Sequence, residues 1–346
     1  MTDIPKQSID LVVTSPPYPM IEMWDAMFNS QNTKIKTALL HGRGLDAFEL
    51  MHKQLDRVWN EVYRVMKPGG IACINIGDAT RTIDGNFMLY PNHSRILQHA
   101  VRKGFTSLPA ILWRKPTNAP NKFMGSGMLP AGAYVTLEHE YILVLRKGEK
   151  RAFSTESRKQ MRRQSAYFWE ERNQWFSDVW MDLVGTGQRL ADTSIRKRSA
   201  AFPFELPYRL ISMFSAKGDR VLDPFLGIGT TMLAAMAAGR NSIGYEIETE
   251  FDKAIGSQVN PLVAFANRRI NDRLRSHQNF VRQRFEEKGP FKHRNVHYGF
   301  PVITAQEKEL LINSVERIDA TDTKRFEVLY SERPQKNFCD DREDWF

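Results

Sequence analysis

Apolar and polar positions alternate in rhythm along the chain, and the rhythm changes several times. Ile9–Val13 is a short apolar run rich in β-branched residues and predicts a buried strand. Ser15-Pro16-Pro17 ends it, because proline cannot donate to a strand ladder. Pro19–Gly44 has no clear period and is expected to be a mobile loop. Phe48, Met51, Leu55, Val58, Val62 and Val65 then recur every three or four positions, predicting an amphipathic helix that Lys67-Pro68-Gly69-Gly70 stops. Strands are expected at Ile71–Ile76, Ser107–Trp113 and Glu140–Leu145, with a helix at Ser94–Arg102 and a glycine-rich linker at Gly125–Gly132. Alternating strands and helices predict an α/β fold with a mostly parallel sheet covered on both faces.

The pattern breaks at Arg146 and resumes near Ala200. A helix at Tyr208–Phe214 leads to Arg220–Asp223 and then to Pro224-Phe225-Leu226-Gly227-Ile228-Gly229-Thr230-Thr231. The alanine-rich helix Met232–Ala238 follows, and Ser242–Glu246 is a strand ending in an acid. Strand, glycine turn, helix, strand and acid is the arrangement that holds an adenosine ribose at the carboxyl edge of a sheet. Met232 stands where a dinucleotide fingerprint needs its third glycine, which demotes a nicotinamide or flavin reading, and the absence of a Walker motif removes an ATPase. Further on, Phe265–Phe285 keeps a helical period among six arginines, either as a nucleic-acid-facing helix or as a packed helix with a solvated face. Val296–Phe300 and Phe326–Tyr330 read as strands around a helix at Gln306–Ile318.

Composition narrows the function classes. A 346-residue chain with 42% hydrophobic residues is a globular protein, and its longest apolar runs are too short to span a bilayer. Two cysteines, Cys73 and Cys339, give neither a disulfide framework nor metal-ligand spacing. With no charged-then-apolar leader after Met1, a cytoplasmic location is expected. The 49 Lys and Arg exceed the 40 Asp and Glu, and the +9 balance suits a polyanionic partner. Between Arg146 and Arg198 stand 13 basic and 7 acidic residues, interleaved with Tyr167, Phe168, Trp169, Trp175, Phe176 and Trp180. That mixture fits a surface for phosphates and base edges, or a small satellite region with a solvated basic face.

Two motifs carry a specific resemblance. Thr14-Ser15-Pro16-Pro17-Tyr18 together with Asp223-Pro224-Phe225-x-Gly227-x-Gly229-Thr230-Thr231 resembles the exocyclic-amino DNA methyltransferases, in the circularly permuted β class where the catalytic motif comes first. Lys67–Gly70, Trp113-x-Lys115, His139-Glu140-Tyr141-Ile142 and Phe202-Pro203-x-x-Leu206-Pro207 are similar to further family segments. Two departures stand out. The strand that often precedes the catalytic one has no room before Asp10, with Asn295–Phe300 a candidate substitute, and Ile228 stands where serine is common.

The resemblance implies a Rossmann-like S-adenosylmethionine-dependent methyltransferase fold, with a catalytic half at 1–145, an inserted target-recognition region at 146–198, a cofactor half at 199–260 and an extension at 261–346. It implies Ser15, Pro16, Pro17 and Tyr18 as catalytic residues, and Asp223, Phe225, Gly227, Gly229, Thr230, Glu246, Phe202 and Pro203 as the cofactor set. Arg162, Arg163, Arg196, Lys197 and Arg198 are the candidate DNA contacts. Serine at the head of the motif favours cytosine N4 over adenine N6. The expected partners are double-stranded DNA and, through a shared site, a cognate restriction endonuclease; the protein is expected to be a monomer or homodimer, with no metal. Methylation of RNA or of a protein glutamine, and a non-catalytic nucleic-acid-binding protein on this fold, are the competing readings.

Overall fold

The computed structural model describes residues 1–115, 124–183, 202–322 and 324–346. In chain order, β1 (Ile9–Thr14) is a strand with all six residues buried. The segment after it folds into two short helices, α1 (Asp25–Gln31) and α2 (Thr33–Leu40), rather than a loop. Asn32 accepts from the Lys34 N–H to start α2, and Phe28, Ile35 and Ala38 are buried. Apolar residues this sparse leave no legible period, but they are enough to seat short helices. The long helix α3 (Gly44–Val65) ends at an extended Met66 and passes directly into β2 (Met66–Ile76). Lys67-Pro68-Gly69-Gly70 therefore belongs to the strand, with Gly69 at φ +81°. The hairpin β3 (Ala79–Ile83) and β4 (Asn86–Tyr90) turns at Asp84-Gly85, both left-handed. Next come α4 (Asn92–Lys103), β5 (Phe105–Arg114), the two-residue strands β6 (Met124–Gly125) and β7 (Ala133–Tyr134), and β8 (His139–Lys147).

Beyond these lie α5 (Glu156–Gln164), α6 (Trp169–Trp175), β9 (Val179–Trp180), α7 (Glu205–Phe214), β10 (Arg220–Asp223), α8 (Thr230–Ala237) and β11 (Asn241–Gly244). The chain closes with α9 (Phe251–Val259), α10 (Leu262–Lys288), β12 (His293–Arg294), β13 (Pro301–Val302), β14 (Val315–Asp322) and β15 (Arg325–Tyr330).

The chain divides into two compact units. The first takes Met1–Ser8, Thr14–Glu149 and Asp178–Pro203. Within it β8 pairs antiparallel with β2 and with β5, and β9 adds to β5 in parallel. Three strands with this direction of pairing cannot be read from an alternation of helices and strands alone. The second unit takes Ile9–Val13, Lys150–Ser177 and Phe204–Phe346. Here β1, β10 and β11 run parallel, in register Leu11↔Val221 and Leu222↔Ile243.

The extension packs differently from its pattern. Asn295–Phe300 is a turn between β12 and β13, not a substitute strand: Asn295 Oδ1 accepts from the His297 and Tyr298 N–H groups, while Tyr298 and Phe300 are fully buried. The expected helix at Gln306–Ile318 is one turn of 3₁₀ helix at Ala305–Glu307, and β14 pairs with β15. The helix at Phe265–Phe285 is present within α10, and its face of Ile270, Leu274 and Val281 is buried. Three of the six aromatics of the basic segment are core. Phe168, Trp175 and Trp180 are buried, whereas Trp169 and Phe176 reach the surface.

Candidate active site

Thr14 is the last residue of β1, and Ser15-Pro16-Pro17-Tyr18 follows with both prolines buried. The Tyr18 hydroxyl donates to Glu140 Oε2 at 2.9 Å. Asn75 Nδ2 donates to Tyr18 Oη at 2.9 Å and to Glu140 Oε2 at 2.7 Å. Ser15 Oγ lies 3.1 Å from Tyr18 Oη. A phenol has one proton, and here the carboxylate takes it. Ser15 is then the donor of its pair with Tyr18, which leaves serine lone pairs for another partner. Burial, and next the Glu140 charge, push the Tyr18 phenol well above its ordinary range, so it stays a donor. Lys115 Nζ holds the other oxygen of Glu140 at 2.9 Å. The Pro16 carbonyl accepts no hydrogen bond among the described residues. Ser15 Oγ thus keeps acceptor capacity at the strand end, next in sequence to the buried Pro16.

The surroundings fix this cluster. Asn75 comes from the end of β2, Glu140 from the start of β8 and Lys115 from just past β5, strands in direct register there. Asn92, fully buried, donates to the carbonyls of Pro19 and Gly77 at 3.1 and 3.0 Å, tying the chain after Tyr18 to the end of β2. Its own oxygen faces His52 Nε2 at 3.0 Å, and burial lowers His52 to about 3, so a neutral imidazole donates. Gly77 lies against the Tyr18 ring, where an added Cβ would meet Cε2 at 2.9 Å. Gly77→Ala is expected to displace the ring and cut turnover about tenfold or more with the fold intact, measured as kcat beside a thermal melt.

Asn75, Lys115 and Glu140 are not among the expected site residues, although Lys115 and Glu140 lie in segments similar to the family's. A lone polar residue inside the apolar run Ile71–Ile76 is the available signal, since buried polar groups are informative. Asn75 Oδ1 is moreover buried without a partner, a cost that functional sites tend to carry.

The expected cofactor residues lie mostly in the second unit. At the end of β10, Asp223 Oδ1 accepts from the Phe225 N–H at 3.1 Å, opening the turn. Gly227 and Gly229 have φ of +54° and +86°, which side-chain-bearing residues rarely adopt. Nothing lies within 4 Å of a Cβ added at Gly227, so this turn leaves its backbone open to a ligand. Glu246, just past β11, binds the Gly227 N–H at 2.7 Å through Oε2 and the Ile247 and Glu248 N–H groups at 2.8 and 2.9 Å through Oε1. Thr230 opens α8, and Thr231 Oγ1 reaches the Val13 carbonyl at 3.4 Å. Phe202 and Pro203 are half-buried and group with the first unit.

Of the basic candidates, Arg163 is paired with Glu156 and Glu309, both at 2.9 Å. Arg162 is exposed, with its guanidinium over the Phe153 ring. Arg196, Lys197 and Arg198 lie outside the described residues. Among the described residues no acid, histidine and cysteine cluster could hold a metal, and no helix is long and apolar enough to cross a membrane.

Comparison with known proteins gives the family. The DNA methylase family profile of N6 and N4 enzymes matches residues 9–256. The type II methyltransferase M.MthZI of Methanothermobacter thermautotrophicus is 51% identical over 338 residues, covering 97% of this chain and 94% of that one. M.MjaI of Methanocaldococcus jannaschii is 51% identical over 270 residues, with 75% and 88% coverage. Among solved structures, the DNA modification methylase TTHA0409 of Thermus thermophilus, complexed with S-adenosyl-L-methionine, superposes with a TM-score of 0.58 at 30% identity, covering 75% of this chain and 89% of that one. This chain belongs to the N6/N4 DNA methylase family.

Proposed function

We propose that the protein is a type II DNA methyltransferase that transfers a methyl group from S-adenosylmethionine to the N4 amino group of cytosine within a specific duplex sequence, as the modification partner of a restriction endonuclease. What supports this is Ser15 Oγ, held beside Tyr18 with lone pairs left open at the end of β1; the resemblance adds the Pro16 carbonyl as the second acceptor. An aromatic amino group is a poor nucleophile because its lone pair is delocalised into the ring. Accepting both of its N–H bonds favours the tetrahedral nitrogen that can attack. The diproline holds its carbonyl rigid, so this acceptor set is preorganised. Ser15 is too weak a base to remove the proton first, and the proton leaves after transfer.

S-adenosylmethionine supplies the methyl as an activated sulfonium. The chain's residues fit it: the open backbone at Gly227 admits a close approach, and Glu246 has one of its roughly four acceptor positions left for a ribose hydroxyl. Glu246→Ala is expected to weaken S-adenosylmethionine affinity about ten- to a hundredfold, read by calorimetry; an unchanged dissociation constant removes Glu246 from the cofactor set.

The target base has to leave the duplex, at a few kcal/mol, and stacking on Tyr18 offsets part of that. The basic stretch of 146–198, with Arg162 and Arg163 on α5, is the proposed target-recognition region between the catalytic and cofactor halves. The test of the whole reading is the product. Incubation with labelled S-adenosylmethionine and duplex DNA, then digestion to nucleosides, is expected to give N4-methylcytidine as the deoxynucleoside. Label in N6-methyladenine would correct the base, and label only in RNA or protein would overturn the reading.

A further inference from the structure

The second unit contains a cavity of about 260 Å³ that the methyltransferase reaction does not use. Three cations line it: Lys217 before β10, Arg240 before β11 and Arg273 from α10. Arg273 is neutralised by Glu171, with nitrogen–oxygen distances of 2.6 and 2.7 Å. The other two have no carboxylate partner among the described residues. Arg240 spends its donors on neutral oxygens, Ser215 Oγ at 3.0 Å, the Ser215 carbonyl at 2.7 Å and the Ala238 carbonyl. Lys217 donates to Asn313 Oδ1, leaving two of its three N–H bonds. Asp219, the acid nearest in sequence, is held by Arg151, and its charge acts on Arg240 without an ion pair between them. Glu332 lines the cavity from an exposed position and pairs with neither cation.

Uncompensated buried cations are costly, and proteins keep them where something arrives to pair with them. The cost is visible at Lys217, where burial, and then the Arg240 and Arg273 charges, lower the ammonium to about 7. Arg240 and a Lys217 that an arriving anion would hold protonated, neither of them in an ion pair, face one small cavity and suit a dianion better than a single carboxylate. Tyr208 and the β15 residue Tyr330 supply flat walls beside the charges.

We propose that this cavity binds a phosphate dianion, free or as the phosphomonoester of a small nucleotide, through Lys217, Arg240 and the donors they leave open. The site is separate from the proposed methyl-donor site. Lys217 and Arg240 precede the amino ends of β10 and β11, whereas Asp223 and Glu246 stand at the carboxyl ends. A four-residue strand separates those ends by roughly 13 Å. A bound phosphate would tie the start of both strands to α10 and to the C-terminal hairpin.

The test is calorimetric titration of the full chain, saturated with S-adenosylhomocysteine so that the proposed cofactor site is closed to nucleotides. Sodium phosphate and AMP are compared at ionic strength matched with chloride. Saturable phosphate binding is expected. Equal affinity for AMP identifies the phosphate alone as the ligand, and tighter AMP identifies a nucleotide. Lys217→Met and Arg240→Gln are each expected to weaken binding about tenfold or more, with S-adenosylmethionine affinity unchanged. The ligand-free melting temperature of Lys217→Met should hold or rise, because an uncompensated charge is gone, which separates lost binding from lost fold. Phosphate heats no larger than those of chloride, unchanged binding in Lys217→Met, or a response to duplex DNA alone would each overturn the proposal.

Discussion

Ser15→Ala is expected to lower turnover about a hundred- to a thousandfold, the usual effect of deleting one preorganised hydrogen-bonding group, while S-adenosylmethionine affinity stays within about twofold. The reason is local. Ser15 Oγ touches Tyr18 and, at 3.5 Å, Asn75, and carries none of the sheet's packing. Its removal leaves Tyr18 Oη still bonded to Glu140 and Asn75, so the aromatic ring and the strand end keep their places. Single-turnover kinetics on duplex substrate, with the cofactor dissociation constant measured in parallel, separate the two effects. A matching loss of cofactor affinity would make Ser15 a structural residue. Ser15→Thr keeps the hydroxyl and is expected to recover part of the rate.

The largest stability effect is expected at Glu171. Its carboxylate binds the Arg273 guanidinium and also caps α6 by accepting from the Phe168 N–H at 3.0 Å. Arg273 donates in addition to Tyr208 Oη at 3.0 Å. Both charged residues are less than a tenth exposed. Glu171→Ala strands a buried guanidinium, and about 3–5 kcal/mol of unfolding free energy should be lost, read from urea denaturation. The double variant Glu171→Ala/Arg273→Met is expected to regain most of that loss, because the penalty lies in the unpaired charge. Equal instability in both would place the effect in the lost cap instead.

Much of this molecule was legible in its sequence, and the gaps have physical causes. β1, α3 and the strand–turn–helix from β10 to α8 were readable because each satisfies its own pattern with strong periods and unmistakable stops. The glycines at 227 and 229 announced a backbone that only they adopt easily. Strand direction was not readable. That β8 runs against both β2 and β5 depends on pairing between residues 25 or more positions apart, for which local hydrophobicity carries no sign. For the same reason Ser15 and Tyr18 were found by motif, whereas Asn75, Lys115 and Glu140 meet them only once the sheet has formed. Which of the aromatics from Tyr167 to Trp180 face the core was not readable, because composition does not say which face a ring takes. Phe168 stacks on the buried His277 with centroids 3.9 Å apart and serves the core.

The parallel pairing of β1 with β10 has a consequence for how the protein is made. Asp10 accepts from the Arg220 N–H across 210 residues of chain. At about 5–20 residues per second, roughly ten to forty seconds of synthesis separate the two strands. Throughout that interval the first apolar strand has no partner on that edge, and an unpaired hydrophobic edge is the feature that draws aggregation and chaperones. Ser15 and Tyr18, although translated early, follow a strand that gains its β10 neighbour only after Arg220 has been made.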